Sequence, residues 1–285
     1  MGRSRAVATV ASALLVLGLA AQAQAQPCVG LVDAGPLVTG PGPADFGQVP
    51  EACGRTDFFL RPHGELTVDS PGFYGAVTGG ATLRGRLQLT ERWFVSAAID
   101  PATWYYSVNA VVSSSTVGAG PATLAVHRTF SFGWKRTVLT PYARLLLPLD
   151  TARHYGERWG GELGASASRR LGARFALRGG LAFPATLVSI GGVGKPAVLP
   201  AALAEVVYGP RWWLAFAAGP AGRMRLAPSP ALLAVAARAS ARAMTRRGWH
   251  FGLAADVPVA GTDRTDLTAA IFVGWSRSDD SRLRM

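Results

Sequence analysis

Residues 73–99 read FYGAVTGGATLRGRLQLTERWFVSAAI. In the first half every second position is apolar or featureless: Phe73, Gly75, Val77, Gly79, Ala81, Leu83, Gly85, Leu87 and Leu89. Between them Tyr74, Thr78, Thr82, Arg84, Arg86, Gln88 and Thr90 are polar or amphipathic. Period two is the signature of a strand with one oily and one wet face. Thr90-Glu91-Arg92 makes a tight turn, after which Trp93, Val95, Ala97 and Ile99 continue the oily face, with Ser96 and Asp100 opposite. A soluble sandwich has little use for so long a hairpin with guanidinium groups facing its core. A closed barrel with an apolar exterior and a watery lumen does.

Turn signals repeat this unit along the chain. Short connections fall near Glu91-Arg92, Lys135-Arg136, Gly172-Ala173, Gly209-Pro210 and Arg246-Arg247. Longer ones fall near 113–120, 151–159, 190–198, 219–229 and 258–264. With a first strand over Phe58 to Val68, turning at 69–72, we expect an all-β, single antiparallel up-and-down transmembrane barrel. The count is about twelve strands, within a range of ten to fourteen.

The first 25 residues, MGRSRAVATVASALLVLGLAAQAQA, carry a charged head (Arg3, Arg5), an apolar run from Val7 to Ala21 and a small-x-small site at Ala23-Gln24-Ala25, so they read as a cleaved secretory signal. Export implies an oxidising compartment, in which Cys28 and Cys53 would form a disulfide closing the Pro/Gly-rich segment 26–55. That segment shows neither strand nor helix period and reads as a periplasmic extension or a small plug in the barrel mouth. The barrel is assigned to 56–276 and a polar tail to 277–285. No later stretch approaches eighteen apolar residues without a charge, which excludes a helical membrane protein. The net charge of +12 comes almost wholly from arginine, since Lys135 and Lys195 are the only lysines. These arginines are spread one or two per strand in an exported chain, so nucleic acid is not an expected partner. Outer-membrane lipids, including lipopolysaccharide, and small solutes are.

Tryptophan placement is an independent sign. Trp93, Trp134, Trp212, Trp213 and Trp249 sit near short turns and Trp275 ends the last strand, forming one aromatic girdle. Trp104, with Tyr105 and Tyr106, and Trp159 would mark the opposite rim. Residues 56–276, behind the signal, resemble a Gram-negative outer-membrane β-barrel protein. The closing strand LTAAIFVGW, 267–275, is similar to the C-terminal signal read by that family's assembly machinery, with Leu267, Ala269, Ile271, Val273 and Trp275 on its lipid face. It departs from the family pattern in that ten residues, Ser276 to Met285, follow the aromatic. The layout faintly resembles twelve-stranded solute-transport barrels, and no motif assigns a subfamily.

If the oily faces meet lipid, the other faces line a solute path carrying Arg84, Arg86, Asp100, Arg144, Glu162, Arg178, Glu205, Arg238, Arg242 and Asp256, together with His127, Arg170 and His250. We expect a passive channel or facilitator for small polar or anionic solutes. The alternatives are a closed structural or surface-interaction barrel whose interior charges pair across a filled lumen, and, further off, a hydrolase at the rim. For enzyme chemistry the sequence offers little. His63, His127, His154 and His250 lack a serine two residues on, and Gly164-Ala-Ser-Ala-Ser168 lacks the second glycine of a nucleophile elbow. Gly191-Gly-Val-Gly-Lys195-Pro196 departs from a phosphate loop in its first glycine and in Pro196. No enzyme activity, metal or cofactor is expected. Arg128 falls with Leu124, Val126, Phe130 and Phe132 on the lipid face, an uncomfortable place for a charge unless a bulge or snorkelling relieves it.

Overall fold

The computed structural model of the protein describes residues 50, 52, 56–69, 74–108, 113–132, 137–147, 157–190, 193–211, 213–227, 229–261 and 267–276. All regular structure among them is β. The strands are β1 (Asp57–Asp69), β2 (Tyr74–Gln88), β3 (Trp93–Val108), β4 (Ser113–Gly118), β5 (Ala122–Arg128), β6 (Phe130–Phe132), β7 (Thr137–Leu147), β8 (Glu157–Arg170), β9 (Phe175–Ile190), β10 (Val193–Val198), β11 (Ala201–Arg211), β12 (Leu214–Arg225), β13 (Ala231–Met244), β14 (Trp249–Ala260) and β15 (Leu267–Ser276). Every pairing is antiparallel. The pairings run β1–β2–β3–β5–β7–β8–β9–β11–β12–β13–β14–β15 and return to β1, where Phe58 faces Trp275 and Leu66 faces Leu267. β4 continues β5 on the edge of β3, β6 continues it on β7, and β10 continues β11 on β9. Fifteen strand segments therefore occupy twelve positions in the circuit, the number the turn count gives. In a bilayer only such a circuit pairs the backbone groups of every strand.

Two expected loops are strand instead. Residues 113–118 and 193–198 pair with the far ends of β3 and β9, and β12 and β14 run on to Arg225 and Ala260. Their composition misleads: SSSTVG and VGKPAV lack alternation, but a strand with neighbours on an already long hairpin needs no oily face once it clears the membrane. The break between β4 and β5 has a local cause. Thr82 of β2 faces both Asp100 and Pro101 of β3, a bulge at a residue that has no N–H for the ladder. Beside it Gly120 donates to the Asp100 carbonyl at 2.8 Å.

The short turns follow from their residues. In the 89–92 turn the Thr90 hydroxyl accepts from the N–H groups of Arg92 (3.2 Å) and Trp93 (3.0 Å). The 245–248 turn ends on Gly248 at φ 83°, a backbone state that glycine adopts without strain.

Burial alternates as the sequence pattern requires, with the usual sense of a soluble protein inverted. On β7, Val138, Thr140, Tyr142, Arg144 and Leu146 are buried while Leu139, Pro141, Ala143 and Leu145 are exposed. Arg128 is exposed with Leu124 and Val126, so the alternation holds through it. It lies in register with Trp93, and its guanidinium sits 5.2 Å from that ring and 4.9 Å from the ring of Phe130. The charge is outward but at the girdle, where a guanidinium reaches headgroups. Trp93, Trp213, Trp249 and Trp275 are exposed at the short-turn end, with Trp249 opposite Trp275, and Trp104 and Trp159 are exposed towards the other end. Trp134 and Trp212 lie outside the described residues. So do Cys28 and Cys53, the signal segment and the tail, with almost all of 26–55.

Candidate functional site: the charged barrel interior

All ten residues assigned from the sequence to the solute path are buried, the most accessible being Arg84 and Asp256 at 8%. They sit on the inward face of eight different strands, because each falls on the wet phase of its strand's alternation. Register then decides which of them meet.

On one wall Arg178 of β9 lies opposite Glu205 of β11, and Arg238 of β13 opposite Asp256 of β14. Arg178 Nε donates to Glu205 Oε2 at 3.0 Å, and its Nη2 binds the same oxygen. Arg238 grips Asp256 in a two-pronged pair at 2.6 and 2.8 Å and reaches Glu205 Oε1 at 4.0 Å. That reach crosses β12, where Gly219 stands opposite Arg238. A Cβ at Gly219 would collide with the carbonyl oxygen of Ala204, so the bare position allows the close approach of β11. The four charges form one chain, Arg178–Glu205–Arg238–Asp256. Apolar residues bracket it. Ala176, Val207, Ala215, Ala217 and Met244 pack together on one side, and Ala182 and Leu203, with Ala201 and Ala221, on the other.

A second group occupies β7 and β8. Arg144 faces Glu162 across the ladder and donates to it at 3.1 Å, while the Tyr142 hydroxyl donates to the same carboxylate oxygen at 2.7 Å. Tyr142 can lie flat over β8 only because Gly164 is its partner there; a Cβ would overlap the tyrosine hydroxyl. Further round, Thr82 donates to Asp100 at 2.7 Å, and Arg242 donates to His250 Nδ1 at 2.7 and 3.2 Å through two nitrogens. His127 stacks on Phe94 with ring centroids 4.2 Å apart and shares a 2.8 Å hydrogen bond between Nε2 and Ser96 Oγ. Its neighbours include the charges of Arg144, Arg84 and Arg86.

Ser96 and His127 form a serine–histidine contact. It faces the interior, with His127 1% exposed, rather than the lipid boundary where a rim hydrolase would need it. No carboxylate orients the imidazole as in an acyl-transfer triad: His127 Nδ1, the nitrogen such a carboxylate would hold, has no hydrogen-bond partner among the described residues. Among the described residues no group of three or more His, Cys, Asp or Glu side chains could hold a metal ion.

The sequence reading placed Ser96 on the wet face but missed Tyr142, Thr140, Ser166, Ser168 and Ser240. Each lies on the inward phase, two residues or a multiple of two from an interior charge, so the same alternation would have found them. Ser166, Ser168 and Ser240 present hydroxyls with no protein partner. One contact came from outside the barrel wall. Ala52, 1% exposed, accepts a hydrogen bond through its carbonyl from the inward Thr140 hydroxyl at 2.5 Å.

A closed, twelve-position antiparallel barrel with an apolar exterior, aromatic rims and a charged interior is the fold of Gram-negative outer-membrane β-barrel proteins. Among solved structures, the chain is similar to an outer membrane channel from Pseudomonas putida F1, at 13% identity and a TM-score of 0.62, over 84% of this chain and 100% of that one. It is also similar to the beta domain of the Bordetella autotransporter BrkA, at 10% identity and a TM-score of 0.55, over 79% and 100%. No protein-family model and no curated protein sequence matches the chain.

Proposed function

We propose that the protein is an outer-membrane channel that passes small anionic or polar solutes through its arginine-lined interior. The observation that carries this reading is the composition of the inward face. Arg84, Arg86, Arg144, Arg170, Arg178, Arg238 and Arg242 stand against Asp100, Glu162, Glu205 and Asp256, seven formal positive charges to four negative, a difference of +3. A barrel that served only as a scaffold would have no need of an excess of one sign. The hydroxyls of Ser166, Ser168 and Ser240 support the same reading, because buried hydroxyls without protein partners are stable only next to water or a polar solute. The likeness to the P. putida channel adds the fold and leaves the solute open.

A closed barrel is the second reading, favoured by the low exposure of the interior charges and by Ala52 seated against Thr140. In this reading the segment ahead of β1 fills the mouth. Single-channel recording of the refolded mature chain across a salt gradient separates the two. The channel reading expects steady openings with anion preference. Replacing both Arg84 and Arg86 by Gln removes most of the formal excess, so the anion-to-cation permeability ratio should fall towards one. An unchanged ratio would remove these residues from the path. A folded chain that stays silent with residues 26–55 deleted would leave the closed barrel.

A further inference from the structure

The interior arginines are matched by carboxylates or other polar groups. A second set is not. Arg92, Arg128, Arg169, Arg174, Arg211, Arg246 and Arg247 are all exposed, and all lie at the short-turn end, in or within a few residues of the connections after β2, β6, β8, β11 and β13. None of the seven makes an ion pair with a described residue, and the only exposed carboxylate described at that end is Glu91. Clustering seven like charges on one rim is unfavourable unless anions outside the chain neutralise them.

The rim's aromatic side chains say where those anions lie. Trp93, Trp213, Trp249 and Trp275 are exposed on the outer surface at the same end. The Arg128 guanidinium sits over Trp93 and Phe130, and the Trp275 indole donates to the Arg247 carbonyl at 3.1 Å. Phe175 and Tyr208 stack beside Arg174, whose carbonyl accepts from Gly209 at 2.8 Å. Indole rings of this kind mark the level at which hydrocarbon gives way to headgroups. The arginines are therefore held at phosphate height around the outside of the barrel, not in its lumen.

We infer that the short-turn rim is a binding surface for anionic phospholipid headgroups, built from seven arginines interleaved with an aromatic girdle. The inference rests on the reading of the chain as a membrane-spanning barrel. It goes beyond that reading in assigning a lipid class and a leaflet. Both described chain ends and the short turns share this end, which in outer-membrane barrels faces the periplasm, so the leaflet is the phospholipid one rather than that of lipopolysaccharide. Juxtamembrane Arg side chains gain about 1 kcal/mol each against an anionic surface, roughly fivefold in local lipid association, and the gain is screened by salt.

The test is electron spin resonance of the refolded protein in phosphatidylcholine vesicles doped with spin-labelled phosphatidylglycerol or phosphatidylcholine. It reads the relative association of each lipid with the barrel boundary. Wild type should favour phosphatidylglycerol, and the preference should shrink at 1 M salt, by the screening just given. The variant R174Q/R246Q/R247Q, which changes only exposed side chains, should lose about tenfold or more of the preference. Equal association of the two lipids with wild type, or a preference that survives both salt and the triple substitution, would overturn the proposal. Insertion is checked separately by the heat-dependent gel mobility of a folded barrel. Failure to insert in either lipid would sink the membrane reading itself, whereas insertion without lipid preference would sink only this inference.

Discussion

Replacing Glu205 by Gln should remove about 3–5 kcal/mol of unfolding free energy, the cost of breaking a buried ion pair from one side. Glu205 is the hinge of the charge chain. Its side chain is 1% exposed and lies between two guanidinium groups, each 4% exposed, on strands to either side. The apolar clusters above and below the chain keep water from replacing the lost charge. An amide would leave Arg178 and Arg238 with Asp256 as the remaining carboxylate of the chain. Urea unfolding in lipid vesicles measures the loss. The companion variant E205Q/R178Q should recover much of it, because removing both members of a buried pair is far less costly than removing one. A loss under about 1 kcal/mol for E205Q would mean that solvent reaches the wall, since exposed pairs contribute no more than that.

This wall shows where sequence reading stopped. Inward placement of Arg178, Glu205, Arg238 and Asp256 was legible from alternation, as was the twelve-strand count from the spacing of turns. Partners were not. Alternation fixes which face a residue takes but not its height, and a slip of two residues leaves the face unchanged while exchanging every partner. Height is set by the turns and bulges, and these are distributed over the chain: the bulge at Asp100-Pro101, the shift between Arg223 and Met224, and another between Val235 and Ala236. Gly219 and Gly164 were silent for a related reason. A glycine in a strand reads as a weakness, and only the folded arrangement shows that Gly219 makes room for the backbone of β11 and Gly164 for Tyr142. The segments 113–118 and 193–198 read as connections because they lie at the level of the far aromatic rim, with Val117 opposite Trp104 and Pro196 opposite the Trp159 neighbour Leu187. There no oily face is required and period two disappears, although the ladder continues.

The arginine-rich turns were visible in the sequence without an explanation. The interior and the rim now separate the basic residues into two populations with different chemistry. On the wet phase of the strands, Arg144, Arg178 and Arg238 find carboxylates in the wall and Arg242 an imidazole. Those in turns find none and point to phosphate. Seven exposed arginines thus belong to the short-turn rim, whereas a formal +3 belongs to the interior. A selectivity measurement reads the interior set and a lipid measurement the rim set.

Leu163→Arg should cost about 2–4 kcal/mol in a bilayer, because it places a guanidinium on the lipid face near mid-membrane. Leu163 is 67% exposed in the middle of β8, one residue from Glu162, which is 2% exposed. Its neighbours across the ladder are Ala143 and Phe183, and Phe183 is itself 48% exposed, so the site lies within a continuous outward apolar band. In a water-soluble β protein the same exchange at so exposed a position would change stability by no more than about 0.5 kcal/mol. The size of the effect therefore reports the solvent around the barrel directly. Val117→Arg supplies the depth control. Val117 is 76% exposed but sits on β4, opposite Trp104 at the far rim, where a charge reaches headgroups and should cost about 0–1 kcal/mol. Both losses can be read from reversible urea unfolding of vesicle-inserted protein. A large loss at 163 with a small one at 117 places hydrocarbon around β8 and its edge below β4. Equal small losses would mean that no lipid surrounds this surface, and the assignment of inside and outside would have to be reversed.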